Sequence, residues 1–127
     1  LPVSARVYIQ TQRIRALILL EFTHICNRFD AFLHPTVACT ARPVSRTMEK
    51  SGEVDTELNS ALSRYTFLGT ISGFPGVTIP CGLADGMPVG LHLMASPWRD
   101  ERLLRVAAAA DQVMPGMPEP KAFYELL

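Results

Sequence analysis

The chain has 127 residues, 48% of them hydrophobic and 19% charged, a balance suited to one globular domain or part of one. Twelve basic and twelve acidic residues cancel to a net charge of zero, which leaves no electrostatic footprint for direct nucleic-acid binding or for an anionic membrane surface. No apolar run is longer than the one from Ala16 to Leu20, far short of the roughly 20 residues that a membrane-spanning helix needs.

The sequence opens on Leu1-Pro2-Val3, with neither a Met nor a basic-then-apolar leader, so residues 1–127 are expected to be a single partial domain lacking its N-terminal part. Cys26, Cys39 and Cys81 are odd in number and widely spaced. That predicts free buried thiols in a reducing, cytoplasmic setting, and no metal site.

In chain order, Ser4 can cap a helix over residues 5–28 whose apolar stripe is Val7, Ile14, Leu17, Ile18, Phe22, Ile25 and Phe29. "AFLHPTVA" then reads as a short strand cut by Pro35, which has no N–H for a ladder bond. Residues 40–56 are polar, include Lys50-Ser51 and lack an apolar period, so they predict a connecting loop. Asp55 or Thr56 can cap a second helix that carries Leu58, Leu62 and Tyr65 and ends between Gly69 and Gly73.

"GVTIP" and "VGLHLMA" are strand-like, and Asp85-Gly86 between them is a turn signal. They predict a hairpin whose loop is somewhat longer than two residues and whose strands, nearly free of charge, are buried on both faces. "RDERLLRVAAAADQVMPG" predicts a last helix capped by Asp100, with a Glu101–Arg105 pair and a buried face of Leu103, Val106, Ala107, Ala110 and Val113. Pro115 and Gly116 stop it, and Phe123 and Leu126 are candidates to pack the tail. Helix, strand, helix, hairpin, helix predicts a sheet covered by helices, an α/β or α+β layer arrangement.

The sharpest chemical candidate is Cys81 opposite His92, which would face each other if the turn centred on Gly86 and Met87. No third orienting group is identifiable, so a packed Cys beside a hydrogen-bonded His is the favoured alternative. Lys50-Ser51 lies in a polar loop where a solvated pair is expected, and the glycines lack phosphate-loop spacing. Residue chemistry alone supplies no catalytic residue, metal site or cofactor site.

The ordered pieces resemble the C-terminal region of the amidase signature family. Thr66, Gly73, Phe74-Pro75, "TIPCG" at 78–82, "DGMPVGLHL" at 85–93 and "LLRVA" at 103–107 match a family pattern of T-x-x-x-N-x-x-G-L-P, "SVPCG", "DGLPVGLQL" and "LLRVA". Upstream, "YIQTQRIRALILLEF" and "FDAFLHPT" are similar to the family's long helix and its D-x-L-L-x-P-T strand. Thr70 stands where the family has Asn, and His92 where it has Gln.

The resemblance implies the C-terminal part of an α/β fold, a mixed β-sheet covered by helices. It also implies hydrolysis of a carboxamide by a Ser nucleophile, activated through a second Ser and a Lys, with no cofactor. Those groups belong to an upstream "GGSSGG" type segment and an earlier strand absent here, so this chain alone is expected to be inactive. Pro35, Thr36, Phe67, Thr70 and Ser72 are the implied substrate-pocket wall, with packing as the alternative for each. The implied partners are a small amide substrate and the missing part of the domain, and a homodimer stays open. The alternative readings are the glutaminase-type subunit of a transamidase, like that of the glutamyl-tRNA amidotransferase, and a non-catalytic remnant or binding module.

Overall fold

The computed structural model describes residues 2–43 and 55–118. Lys50-Ser51, most of the expected connecting loop, and the tail residues Phe123 and Leu126 lie outside them.

Helix α1 spans Ala5–Cys26, and the Ser4 hydroxyl accepts from the Val7 amide at 3.4 Å, supplying one of the acceptors that a helix start lacks. Strand β1 is Phe32–Pro35. Helix α2 covers Thr56–Ser72, capped by the Asp55 carboxylate on the Leu58 amide at 2.9 Å. Its C-terminus closes on Gly73 at φ +70, a left-handed conformation in which a Cβ is strained.

Strands β2 (Gly76–Ala84) and β3 (Met87–Met94) flank Asp85-Gly86. Both turn residues have positive φ, 53° and 74°, the signature of a two-residue type I′ hairpin. The longer loop expected from sequence is thus corrected: Leu83 and Ala84 remain paired, with Pro88 and Met87, because the primed turn matches the strand twist without spare residues.

Helix α3 runs Asp100–Asp111. Asp100 is its first helical residue and Arg99 occupies the cap without a side-chain bond, so the expected Asp100 cap is also corrected. Asp100 and Glu101 still place negative charge at the positive helix end, and Arg105 lies 3.8 Å from Glu101.

The sheet has the order β1-β3-β2, all antiparallel. Alternation sends Val77, Ile79, Leu91 and Leu93 to one face, where they meet Leu103 and Ala107 of α3 in the main core. Val106 and Ala110 pack beside it, but Val113 is 78% exposed. Val113 lies past the helix end, and Met114 takes the expected place against the core.

The other face carries Phe32, His34, Thr78, His92 and Met94, toward α1 and α2. Phe22 of α1 meets Phe32 and Phe74 at centroid distances of 5.6 and 5.8 Å, and Tyr65 of α2 stacks on His34 at 5.6 Å. The helices thus cover both sides of the sheet, as the α/β reading expects.

Burial is narrower than the apolar patterns suggest. In α1, Ile18 and Phe22 are half-buried while Val7, Ile14, Leu17 and Ile25 remain exposed, as does Phe29, which lies past the helix end at Cys26 rather than at the expected residue 28. The helix meets neighbours along one narrow line only, and no described layer covers the rest of its stripe. The hairpin shows the same limit, with Leu93 and Met94 enclosed but Thr78, Pro80 and Leu83 open.

Candidate functional site

Where β1 ends, the chain leaves the sheet at Pro35 and runs alongside the upper half of β3. The Thr36 amide still donates to the Gly90 carbonyl at 3.0 Å. Beyond that bond the strands part and leave an open, mainly apolar groove of about 1140 Å³. Its walls are the segment from Leu33 to Thr40, β2 from Thr78 to Cys81 and β3 from Pro88 to Leu91.

Gly90 sets the floor. A Cβ there would lie 2.6 Å from the Thr36 hydroxyl and 2.7 Å from the Thr78 methyl, so the missing side chain is what lets two neighbouring strands lay threonines over this point. The Thr36 Oγ1 is buried and has no partner among the described residues.

Beside the groove lies a polar cluster that connects three strands and α2. His92 Nδ1 and the Thr78 hydroxyl are 2.8 Å apart, and the His34 ring faces His92 at a centroid distance of 4.9 Å. His34 Nδ1 lies 2.8 Å from the Pro35 carbonyl. A carbonyl only accepts, so Nδ1 carries the proton and the neutral ring's Nε2 is bare. That Nε2 is buried and unpartnered among the described residues. Burial, and then the neighbouring His34, lower the His92 pKa below its ordinary 6.5.

The five wall candidates separate in space. Pro35 and Thr36 line the groove. Ser72 is buried but turned inward, accepting from the Phe74 amide at 3.2 Å and reaching the Gly69 carbonyl at 3.4 Å, so it shapes the end of α2. Thr70 is exposed and bonds back to the Thr66 carbonyl at 3.2 Å, and Phe67 is 57% exposed. Neither lines the groove.

Cys81 does not face His92. The register shifts between Pro80 and Gly82, leaving Cys81 as the extra residue of a bulge, and it is Thr78 that pairs with His92. The turn centre lies one residue earlier than the Cys–His pairing needs. The hydroxyl–imidazole contact of Thr78 and His92 has the first two members of a nucleophile–base arrangement. No described carboxylate orients the imidazole, whose Nε2 instead lies 2.7 Å from where a Cβ on Gly76 would stand, so the pair packs a sheet face. The three cysteines are free and half-buried. No group of three or more His, Cys, Asp or Glu that could hold a metal occurs among the described residues. The convergence of His34, His92, Tyr65 and Thr78 escapes sequence reasoning, although alternation along β1 and β3 puts both histidines on one face.

The described residues thus form a three-stranded antiparallel sheet flanked by helices, an α/β arrangement with an open apolar groove beside β1. A family model for the amidases matches residues 2–104, and the chain belongs to the amidase signature family. It is 30% identical over 125 residues to a fatty acid amide hydrolase of Arabidopsis thaliana, covering 98% of this chain and 21% of that protein. It is 40% identical over 108 residues to the A subunit of the glutamyl-tRNA(Gln) amidotransferase of Salinispora tropica, covering 84% and 21%. The solved structure of the corresponding subunit from Thermotoga maritima superposes with a TM-score of 0.73 at 24% identity, over 85% of this chain and 23% of that one, a likeness of fold. The chain thus spans about a fifth of the length of the curated relatives it matches. No helix among the described residues is long and apolar enough to cross a membrane.

Proposed function

We propose that this chain is the C-terminal part of an amide hydrolase whose Ser nucleophile lies outside residues 1–127. The observation that carries the reading is the family match over residues 2–104, combined with a share of about a fifth of the relatives' length. In the complete enzyme the Ser oxygen attacks the carboxamide carbonyl, the amine leaves, and water releases the acyl group from the resulting ester. The part of this chain is positional: the apolar groove bounded by Pro35 and Thr36 contributes a wall against the acyl side of the substrate. Ser72 acts from further away, by fixing the end of α2 through its bonds with the Phe74 amide and the Gly69 carbonyl, and Phe67 and Thr70 are exposed wall candidates of the complete enzyme. The free thiols fit a reducing, cytoplasmic setting.

A second reading is the glutaminase-type subunit of a transamidase, favoured by the 40% identity to such a protein. One experiment separates them: express the longest polypeptide that the reading frame through Leu1 encodes, and assay amide hydrolysis together with labelling by a serine-directed fluorophosphonate. The hydrolase reading expects a labelled serine preceding Leu1 and amide turnover by the single polypeptide. Glutamine-dependent ammonia release that requires added partner subunits supports the transamidase. A stop codon just upstream, or a full-length product neither labelled nor active, sinks both and leaves a non-catalytic remnant.

A further inference from the structure

The His34–His92 contact crosses the seam between β1 and β3, where the two residues are directly paired. β1 is four residues long, lies at the sheet edge and has β3 as its strand partner. The rings, 4.9 Å apart, sit close enough for two positive charges to repel strongly where water is partly excluded. Protonating His34 would place a second N–H at its buried Nε2, which has no acceptor among the described residues.

No counter-charge is at hand among the described residues. From α2 the titratable group facing the pair is Tyr65, stacked on His34. From β2 the facing group is the uncharged Thr78. The inward charge of α1, Arg15, is turned to the carbonyls of Ile71 and Ser72. The three ion pairs among the described residues involve neither histidine.

We propose that His34 and His92 form a proton-sensitive latch on the β1–β3 seam, closed while both rings are neutral and released when both are charged. A single charged ring meets no like charge across the seam. The second sets like charges across the strand pair. Because β1 leads directly into Pro35 and Thr36, release of the latch withdraws one wall of the groove while the α3 core stays in place.

The test is hydrogen exchange with mass spectrometry on the longest polypeptide encoded by the reading frame, at pH 7.5 and 5.0, corrected for intrinsic exchange. Protection of amides in residues 31–37 is expected to fall about tenfold at pH 5.0, with α3 amides unchanged, and H34Q and H92Q each remove the fall. Protection of 31–37 that ignores pH, an equal loss in α3, or a fall that persists in both variants overturns the latch. Should the variants not fold, imidazole NMR on the unmodified protein decides. Two well-separated titration steps support coupling, and two independent titrations at the ordinary value refute it.

Discussion

The guanidinium Nε of Arg15 donates to the carbonyl of Ile71 at 2.7 Å, with Nη2 reaching the Ser72 carbonyl at 3.4 Å. A side chain of α1 thereby satisfies the last turn of α2, where carbonyls lack helical partners and the dipole favours a cation. Arg15→Ala is expected to destabilise the complete polypeptide by about 1–3 kcal/mol, measured by urea unfolding. Lys, a point charge without the fork, should restore less than half.

Gly90 makes a sharper prediction. With Thr36 Oγ1 at 2.6 Å and the Thr78 methyl at 2.7 Å from the position a Cβ would take, Gly90→Ala should cost about 1–3 kcal/mol through forced displacement of both strands. The paired variant G90A/T36S, which removes a methyl but keeps the hydroxyl, should recover less than G90A/T78S. Equal stability of G90A and the unaltered protein would contradict the close approach.

Gly86 is the contrasting case. Nothing lies within 4 Å of its Cβ position, but φ is +74. Gly86→Ala should therefore lose about 1 kcal/mol through backbone strain alone, and Gly86→Asn, which tolerates the left-handed region, should lose less. Thermal unfolding of the three proteins gives the order.

Stability should also depend on pH through His92, whose folded-state pKa lies below the unfolded 6.5 because of burial and then His34. Above pH 6.5 both states leave the ring neutral and the contribution is complete. As pH falls through 6.5 toward the lowered folded value, the unfolded chain takes the proton first and the contribution is lost. Urea midpoints measured between pH 7.5 and 5 should decline in the unaltered protein and decline less in H92Q.

On the proposed function, residues 1–127 expressed alone should hydrolyse no amide, because that reading places the serine nucleophile outside them. Turnover by that polypeptide, abolished by a serine-directed inhibitor, would refute the assignment of chemistry to residues beyond it.

Much of this architecture was legible because its signals are local. Ser4, Asp55 and Gly73 mark helix ends through bonds to residues within four positions, and Asp85-Gly86 marks the turn through its own φ preferences. Register was not legible, since the extra residue at Cys81 shifts every later pairing of β2 and depends on cross-strand fit. Exposure of α1 was hidden for another reason: a periodic stripe shows which face can be covered, and the covering layer is a separate matter. The candidate wall divided similarly. Pro35 closes β1 and Thr36 keeps one more bond to Gly90 before the chain diverges, so the two line the groove together, whereas Ser72 is held inward by its bonds with the Phe74 amide and the Gly69 carbonyl.

The bond from the Thr36 amide to the Gly90 carbonyl also decides what the outer rim of β2 can do. In an antiparallel ladder the N–H and C=O of one residue point the same way, so Gly90 spends its polar groups on β1 and its opposite number, Pro80, directs its own outward. Proline has no hydrogen to offer there, and the bulge at Cys81 follows at once. Among the described residues β2 is a sheet edge, and the outer margin of this nine-residue strand is thus broken near its middle into two short stretches, each too brief to template an added strand firmly. This hairpin carries a built-in brake on edge-to-edge association.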